Sequence, residues 1–330
     1  MKNKLFTDIA NKQKIAVYPA LSDSHSYILS QLSYSHDKLL FIAKDDANIF
    51  MIAEQLKFFR PGLRILVFPS WDCSVYDKIS PNISNLNQRI KVLSELSEGR
   101  DKVIVITCVS ALIQKIPPSS LLLELGKIIR VNDVIKRDEF LALLVQLSFR
   151  RVEVASETGD FAVRGNIIDI IANAEEGWRL DFFGSALEKI RVFDPITQIS
   201  TGMFLQEIKL LPSSEVVLNS DTITHFCKSF HDEFGPHSVD NPLYEAIEQG
   251  RKYPGMEHYL PCFYENLNDL FDYFTPNQVI CDNDFEDELK KKINLINDHY
   301  KSRQEHLVNR FKDEVIYYPV KPETMWLKLD

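Results

Sequence analysis

Glycine is scarce in this 330-residue chain, with 11 residues, about half the ~7% of average usage, which leaves few loops able to wrap closely around a ligand's phosphates. Cysteine is present but not organised: Cys73, Cys108, Cys227, Cys262 and Cys281 form an odd set with no CxxC and no histidine at ligand spacing. Neither a zinc site nor a disulfide framework is signalled, and a reducing compartment fits best. No window approaches ~18 uninterrupted apolar residues, and the N-terminal MKNKLFTDIANKQKIAVYPA lacks an apolar stretch before a cleavage site. The chain reads as cytoplasmic, with no membrane partner.

Enzyme motifs are missing too. There is no GxSxG, HExxH or SxxK, and His225 and His231, six apart, fall on opposite faces of a helix. The eight histidines read as surface or helix-end residues, and acid pairs such as Asp45-Asp46 and Glu175-Glu176 as solvated charge at turns or helix starts. No catalytic, cofactor-binding or metal-binding residue is signalled.

What is present is a foldable composition, 45% apolar and 26% charged, with a net charge of −9 that argues against bulk-charge recognition of a phosphate backbone. Residues 1–118 alternate apolar runs with helical patterns: Leu39 to Ala43, Arg64 to Phe68 and Lys102 to Thr107 read as buried strands. A helix with Ile83, Leu86, Ile90, Leu93 and Leu96 on one face lies between the last two and ends near Gly99. This is the pattern of a RecA-like or Rossmann-like half-sheet. Yet the loop after the first strand, Ile15 to Tyr18, reads Pro19 Ala20 Leu21 Ser22 Asp23 Ser24 His25 Ser26, without the glycines and lysine of a phosphate cradle. No apolar strand runs into an acidic pair for magnesium, since Asp138-Glu139 follows Lys136-Arg137 and Asp313-Glu314 follows a charged helix. ATP hydrolysis by this chain is not expected.

Pro117, Pro118, Ser119 and Ser120 mark a break. A helix over Asp133 to Gln146 follows, then an antiparallel meander of Phe161 to Ile171, Trp178 to Phe183 and Glu188 to Phe193. From Ser213 the chain turns acidic, with 12 basic against 22 acidic residues, and Asp284 to Phe311 reads as one long charged helix. The expected divisions are 1–118, 119–212 and 213–330.

Two blocks, PSWDCSVYDKISPN (Pro69 to Asn82) and ETGDFAVRGNIIDIIANAEEGWRLDFFGSALEKIRVFDPITQIS (Glu157 to Ser200), with a third, QGRKYPGMEHYLPCFYENLNDLFDYF (Gln249 to Phe274), resemble the N-terminal region of the bacterial transcription-repair coupling factor family (Mfd), the part related to the excision-repair protein UvrB. The resemblance covers nearly the whole chain in the family's order. It implies an α/β fold in which 1–118 and 213–330 jointly form a degenerate RecA-like (P-loop NTPase-like) parallel-sheet domain, split by an inserted mixed α/β domain, 119–212, with an antiparallel sheet, as in UvrB. It also implies that the Walker residues and the long DNA-gripping hairpin of UvrB are lost. The translocase motors that use ATP and magnesium, the RNA polymerase-binding domain and the autoinhibitory C-terminal domain, which holds the docking surface until the motor engages, would lie beyond Asp330. RNA polymerase and DNA would be met only through those regions. Met325 to Asp330 stops inside what looks like an ongoing edge segment, which points to a longer reading frame.

The partner implied for the middle segment is UvrA, the damage-recognising ATPase, and the family's motif carries its binding residues onto Arg164, Arg179 and Phe183. Alternation puts Arg179, Asp181 and Phe183 on one strand face, with Leu180 and Phe182 on the other. Two readings of that face stand: an arginine-and-phenylalanine docking patch, or an Arg179–Asp181 pair on a wet sheet with Phe183 tucked under a loop. Arg191 belongs either to the same cluster or to the Asp194-Pro195 turn. Trp71, Asp72, Tyr76 and Asp77 read as structural, an aromatic loop packed on the sheet. The expected function is a non-catalytic platform recruiting UvrA to stalled RNA polymerase. The alternatives are a UvrB-like ATP-dependent DNA-binding protein and a free-standing regulatory protein.

Overall fold

The computed structural model describes residues 24–99, 102–173, 176–308 and 316–328. The expected first strand Ile15 to Tyr18, most of the glycine-free loop after it, Glu175 and the Asp313-Glu314 pair lie outside the described residues.

The apolar runs become a parallel four-stranded sheet. Its strands are β1 (Lys38–Ala43), β2 (Ile65–Phe68), β3 (Val103–Cys108) and β12 (Gln278–Cys281), in the order β12-β1-β3-β2. Register pairs Leu40 with Val105, Val67 with Ile106 and Ile42 with Cys281. Every residue of β3 is buried, as expected of a strand covered on both faces. Helices α1 (His25–Leu32), α2 (Ile49–Phe59) and α3 (Ile83–Ser97) accompany this sheet, and α2 and α3 contribute Ile52, Leu56, Ile90 and Leu93 to its core. Asn82 caps α3 by accepting from Ser84 N–H at 2.9 Å. The sequence reading missed β12. Only four residues long and half-exposed on alternate positions, it gives no sustained apolar run.

A short helix, α4 (Val109–Ile113), and α5 (Ser119–Leu125) lead into a neck of two antiparallel strands, β4 (Lys127–Arg130) and β11 (Glu207–Leu210), paired from Lys127↔Leu210 to Arg130↔Glu207. Between them lie α6 (Arg137–Gln146) and a six-stranded sheet of β5 (Arg150–Val152), β6 (Asp160–Arg164), β7 (Ile167–Ile171), β8 (Gly177–Phe183), β9 (Ala186–Phe193) and β10 (Ser200–Leu205), ordered β10-β9-β8-β7-β6-β5. Three expectations are corrected. Phe161 to Ile171 is a hairpin, not one strand, because Gly165 takes φ +58° and turns the chain before Asn166. The helix starts at Arg137, since Val134 forms a bridge with Ala186. The meander gains β10 at one edge and β5, parallel to β6, at the other. One face of this sheet packs Phe161, Ile168, Ile170, Leu180, Phe182 and Ile190 against Phe140 and Leu144 of α6.

The third segment builds a separate aromatic core. Helix α7 (Ser220–Phe234), with an Asn219 capping box, places Phe226 and Phe230 against Phe263, Tyr259 and Tyr318, and α8 (Pro242–Glu248) adds Leu243 and Ile247. The expected long helix is α9 (Phe285–Val308), of which Ile296 is fully buried. Tyr76 packs here, against Tyr300 and Trp326, with its hydroxyl donating to Val320 O at 2.9 Å, and not on the parallel sheet as expected. His258 departs from the surface reading: only 3% exposed, it lies edge-on to Trp71.

These parts are stitched together by a fully buried ion pair between Arg89 of α3 and Glu215. Arg89 also donates to Pro69 O at 2.7 Å and stands over the Phe68 ring, while Trp71 Nε1 donates to Glu215 at 3.2 Å. The carboxylate thus ties the first segment to the third.

Candidate docking surface

The face of the six-stranded sheet turned away from α6 is built from charges. Register sets Asp169, Arg179 and Arg191 side by side across β7, β8 and β9, with Ala162 beyond Asp169 on β6. Arg179 forks onto Asp169, Nε to Oδ1 at 2.7 Å and Nη2 to Oδ2 at 2.9 Å. Arg191 forks onto Asp181, two bonds of 2.8 Å. Forked pairs of this kind hold both planar groups in one orientation. The pairing therefore differs from the Arg179–Asp181 alternative: each aspartate takes the arginine on its neighbouring strand, and Arg191 belongs to the ladder instead of the turn.

Arg179 is largely enclosed. Its side chain is 14% exposed and that of Asp169 is 2%, its guanidinium lies 4.6 Å over the Phe193 ring, and Nη1 donates to Gln198 O. The turn over Asp194 to Ile199 thus roofs it, above a small cluster of Ala155, Ala162, Ile171 and Phe193. The hydrogen bonds to Asp169 raise the Arg179 pKa further, so its charge is fixed.

Arg164 and Phe183 sit differently. Arg164 ends β6 at the hairpin tip and is exposed; it pairs in register with Ile167, itself opposite Asp181. Phe183 ends β8 and is 74% exposed, not tucked under a loop. A bulge at Glu188 offsets β9 between Asp181 and Phe182 and leaves the β8 alternation intact, so Phe182 stays in the core and Phe183 outside. All three residues lie on one face of adjacent strands: Arg164 and Phe183 open to solvent, Arg179 beneath the turn. The sequence reading missed Phe204, 60% exposed and opposite Arg191 in register, and Met203 beside it. An exposed aromatic in a strand at the edge of a charged patch was the available signal.

The rim of the parallel sheet has a different character. Asp46, after β1, accepts from Ser70 N–H at 3.0 Å, from the Ser70 hydroxyl and from Cys108 Sγ at 3.3 Å. Burial, with the Asp46 charge beside it, pushes the Cys108 thiol up to about 12. His25 and Asp282, at the ends of α1 and β12, approach to 3.9 Å. Carboxylates thus occupy the strand ends where open α/β sheets receive ligands. No helix among the described residues is long and apolar enough to cross a membrane.

Comparison with known proteins agrees with this architecture. Residues 128–216, from the neck through the six-stranded sheet, match the family model of the UvrB interaction domain. Over 309 residues, 94% of its length, the chain is 33% identical to a transcription-repair-coupling factor of Rickettsia bellii, of which it covers 27%. Those of Haemophilus influenzae and Escherichia coli are 26% and 27% identical over 94% and 73% of the chain. The class is thus a module carrying a UvrB interaction domain. More particularly, the chain is homologous to the N-terminal region of the transcription-repair coupling factors, and it spans about a quarter of their length.

Proposed function

We propose that the chain is a non-catalytic docking platform which recruits UvrA during transcription-coupled excision repair in the cytoplasm, through the charged face of its middle sheet. Arg164 and Phe183 make the contacts, and Arg179 positions the patch by fixing Asp169 and the turn above it. The four-stranded parallel sheet serves as a degenerate RecA-like scaffold, with the insertion running over 119–212 between segments 1–118 and 213–330. ATP-driven translocation and contacts with RNA polymerase and DNA belong to other parts of the longer relatives, and a C-terminal domain covers the patch until release.

The observation that carries this reading is Phe183, a large aromatic held 74% exposed beside locked arginine–carboxylate pairs, within the segment that matches a UvrB interaction domain. Aromatic and arginine side chains are the usual anchors of protein interfaces. The test is capture of purified UvrA by the immobilised chain. Phe183→Ala, which removes no buried contact, lowers capture at least about tenfold with unchanged melting, the loss expected of an anchor. Arg164→Glu acts the same way. Undiminished capture by both variants refutes the assignment. Arg179→Glu is a poor probe by itself, because it leaves Asp169 buried against a second carboxylate and disturbs the fold as well.

A further inference from the structure

The parallel sheet stops at β2, and the outer edge of that strand is open to a cleft. Ile104 N–H donates to Arg64 O at 3.0 Å, so in the parallel ladder residues 64, 66 and 68 turn toward β3, and Ile65 and Val67 turn their N–H and C=O groups outward. The Gln88 side-chain amide agrees with this, donating to Val67 O at 3.1 Å from the outer side. Among the described residues, nothing pairs with the Ile65 N–H and C=O or the Val67 N–H.

The cleft has a volume of about 510 Å³ and lies where α2, α3 and the middle unit meet. Phe50, half-exposed, and Ala53 give it an apolar wall. Thr158, 5% exposed, lines it with a hydroxyl that has no hydrogen-bond partner. Most of its charges are already satisfied: Lys57 donates to Glu54 at 2.6 Å, and Glu176 accepts from Trp178 Nε1 at 2.8 Å. Lys91 is left as a cation with no carboxylate partner among the described residues.

An open strand edge, an apolar wall and one unpaired cation together specify an occupant. We infer that β2 accepts an extended peptide as a fifth strand, with one apolar side chain toward Phe50 and Ala53 and an acidic side chain toward Lys91. Main-chain bonds to Ile65 and Val67 supply affinity, and the pockets for alternate side chains supply selectivity. Gln88 occupies one edge carbonyl until the peptide displaces it. This site is on the host sheet and does not depend on the UvrA reading.

The probe is a phage-displayed library of random dodecapeptides panned against the whole chain, followed by fluorescence anisotropy and amide exchange with the selected peptide made synthetically. Selected peptides alternate apolar residues around an Asp or Glu, and binding slows exchange at Ile65 and Val67. Lys91→Glu, at an exposed position, weakens binding at least tenfold. Val67→Pro removes an outward N–H without touching the ladder to β3 and abolishes binding. Failure to select any peptide above a blank support overturns the inference. So does protection mapped elsewhere, or equal affinity for the Lys91→Glu chain.

Discussion

Burial strips water from the His258 imidazole and pushes its pKa down to about 4, against ~6.5 for the free side chain. Its Nε2 donates to Ile79 O at 3.1 Å, and its Nδ1 has no partner. The unfolded chain therefore binds a proton that the folded chain refuses. Stability is independent of this group above pH ~6.5 and falls as pH drops toward 4, by a total of about 3 kcal/mol. Its neighbour Glu257 acts oppositely: burial raises its carboxyl pKa, which favours the fold at acid pH and withdraws that support as pH rises. Urea unfolding of His258→Gln between pH 4.5 and 7.5 checks this; the variant shows a flatter profile than the parent chain. The sequence held no hint of this burial, because a lone histidine carries no periodic signal. By contrast, the face shared by Arg179, Asp181 and Phe183 was legible from alternation alone. Which carboxylate each arginine takes was not, since Asp169 lies ten residues away and only strand register brings it across.

At the scale of elements, long one-sided patterns such as α3 and α9 were readable, whereas β12 and the β6–β7 turn were not. A four-residue edge strand has too little pattern of its own, and the β6–β7 pair hid its turn within a continuous apolar run. The linkage between α3 and the third segment could not be read either, since Arg89 and Glu215 are 126 residues apart. Glu215→Leu leaves Arg89 charged and unpaired in a dry site, and destabilises the chain by about 3–5 kcal/mol in urea titration. The double change Arg89→Met with Glu215→Leu recovers most of that loss, as apolar replacement of a buried pair often does.

For the molecule as a whole, the acidic strand ends of the parallel sheet predict a specific null result. A titration with labelled ATP and magnesium gives no saturable binding, because Asp46 and Asp282 face the region a phosphate would enter. Saturable binding would favour the UvrB-like alternative. The resemblance to transcription-repair coupling factors, carried by three blocks spread along the chain, gave the N-terminal assignment that homology to a quarter of those proteins bears out. The parallel host sheet is assembled from both ends of the sequence, with β12 joining β1 across more than 230 residues.

The neck makes that assembly tolerant. Because β4 and β11 run side by side, the chain leaves the host and returns to it at neighbouring points, about one strand spacing apart. Lengthening or trimming any loop from 131 to 206 therefore changes the size of the inserted unit without shifting a single residue of the parallel ladder. The host is blind to the bookkeeping of its guest, so the guest's outer loops are free to be edited while the frame that carries them keeps its register.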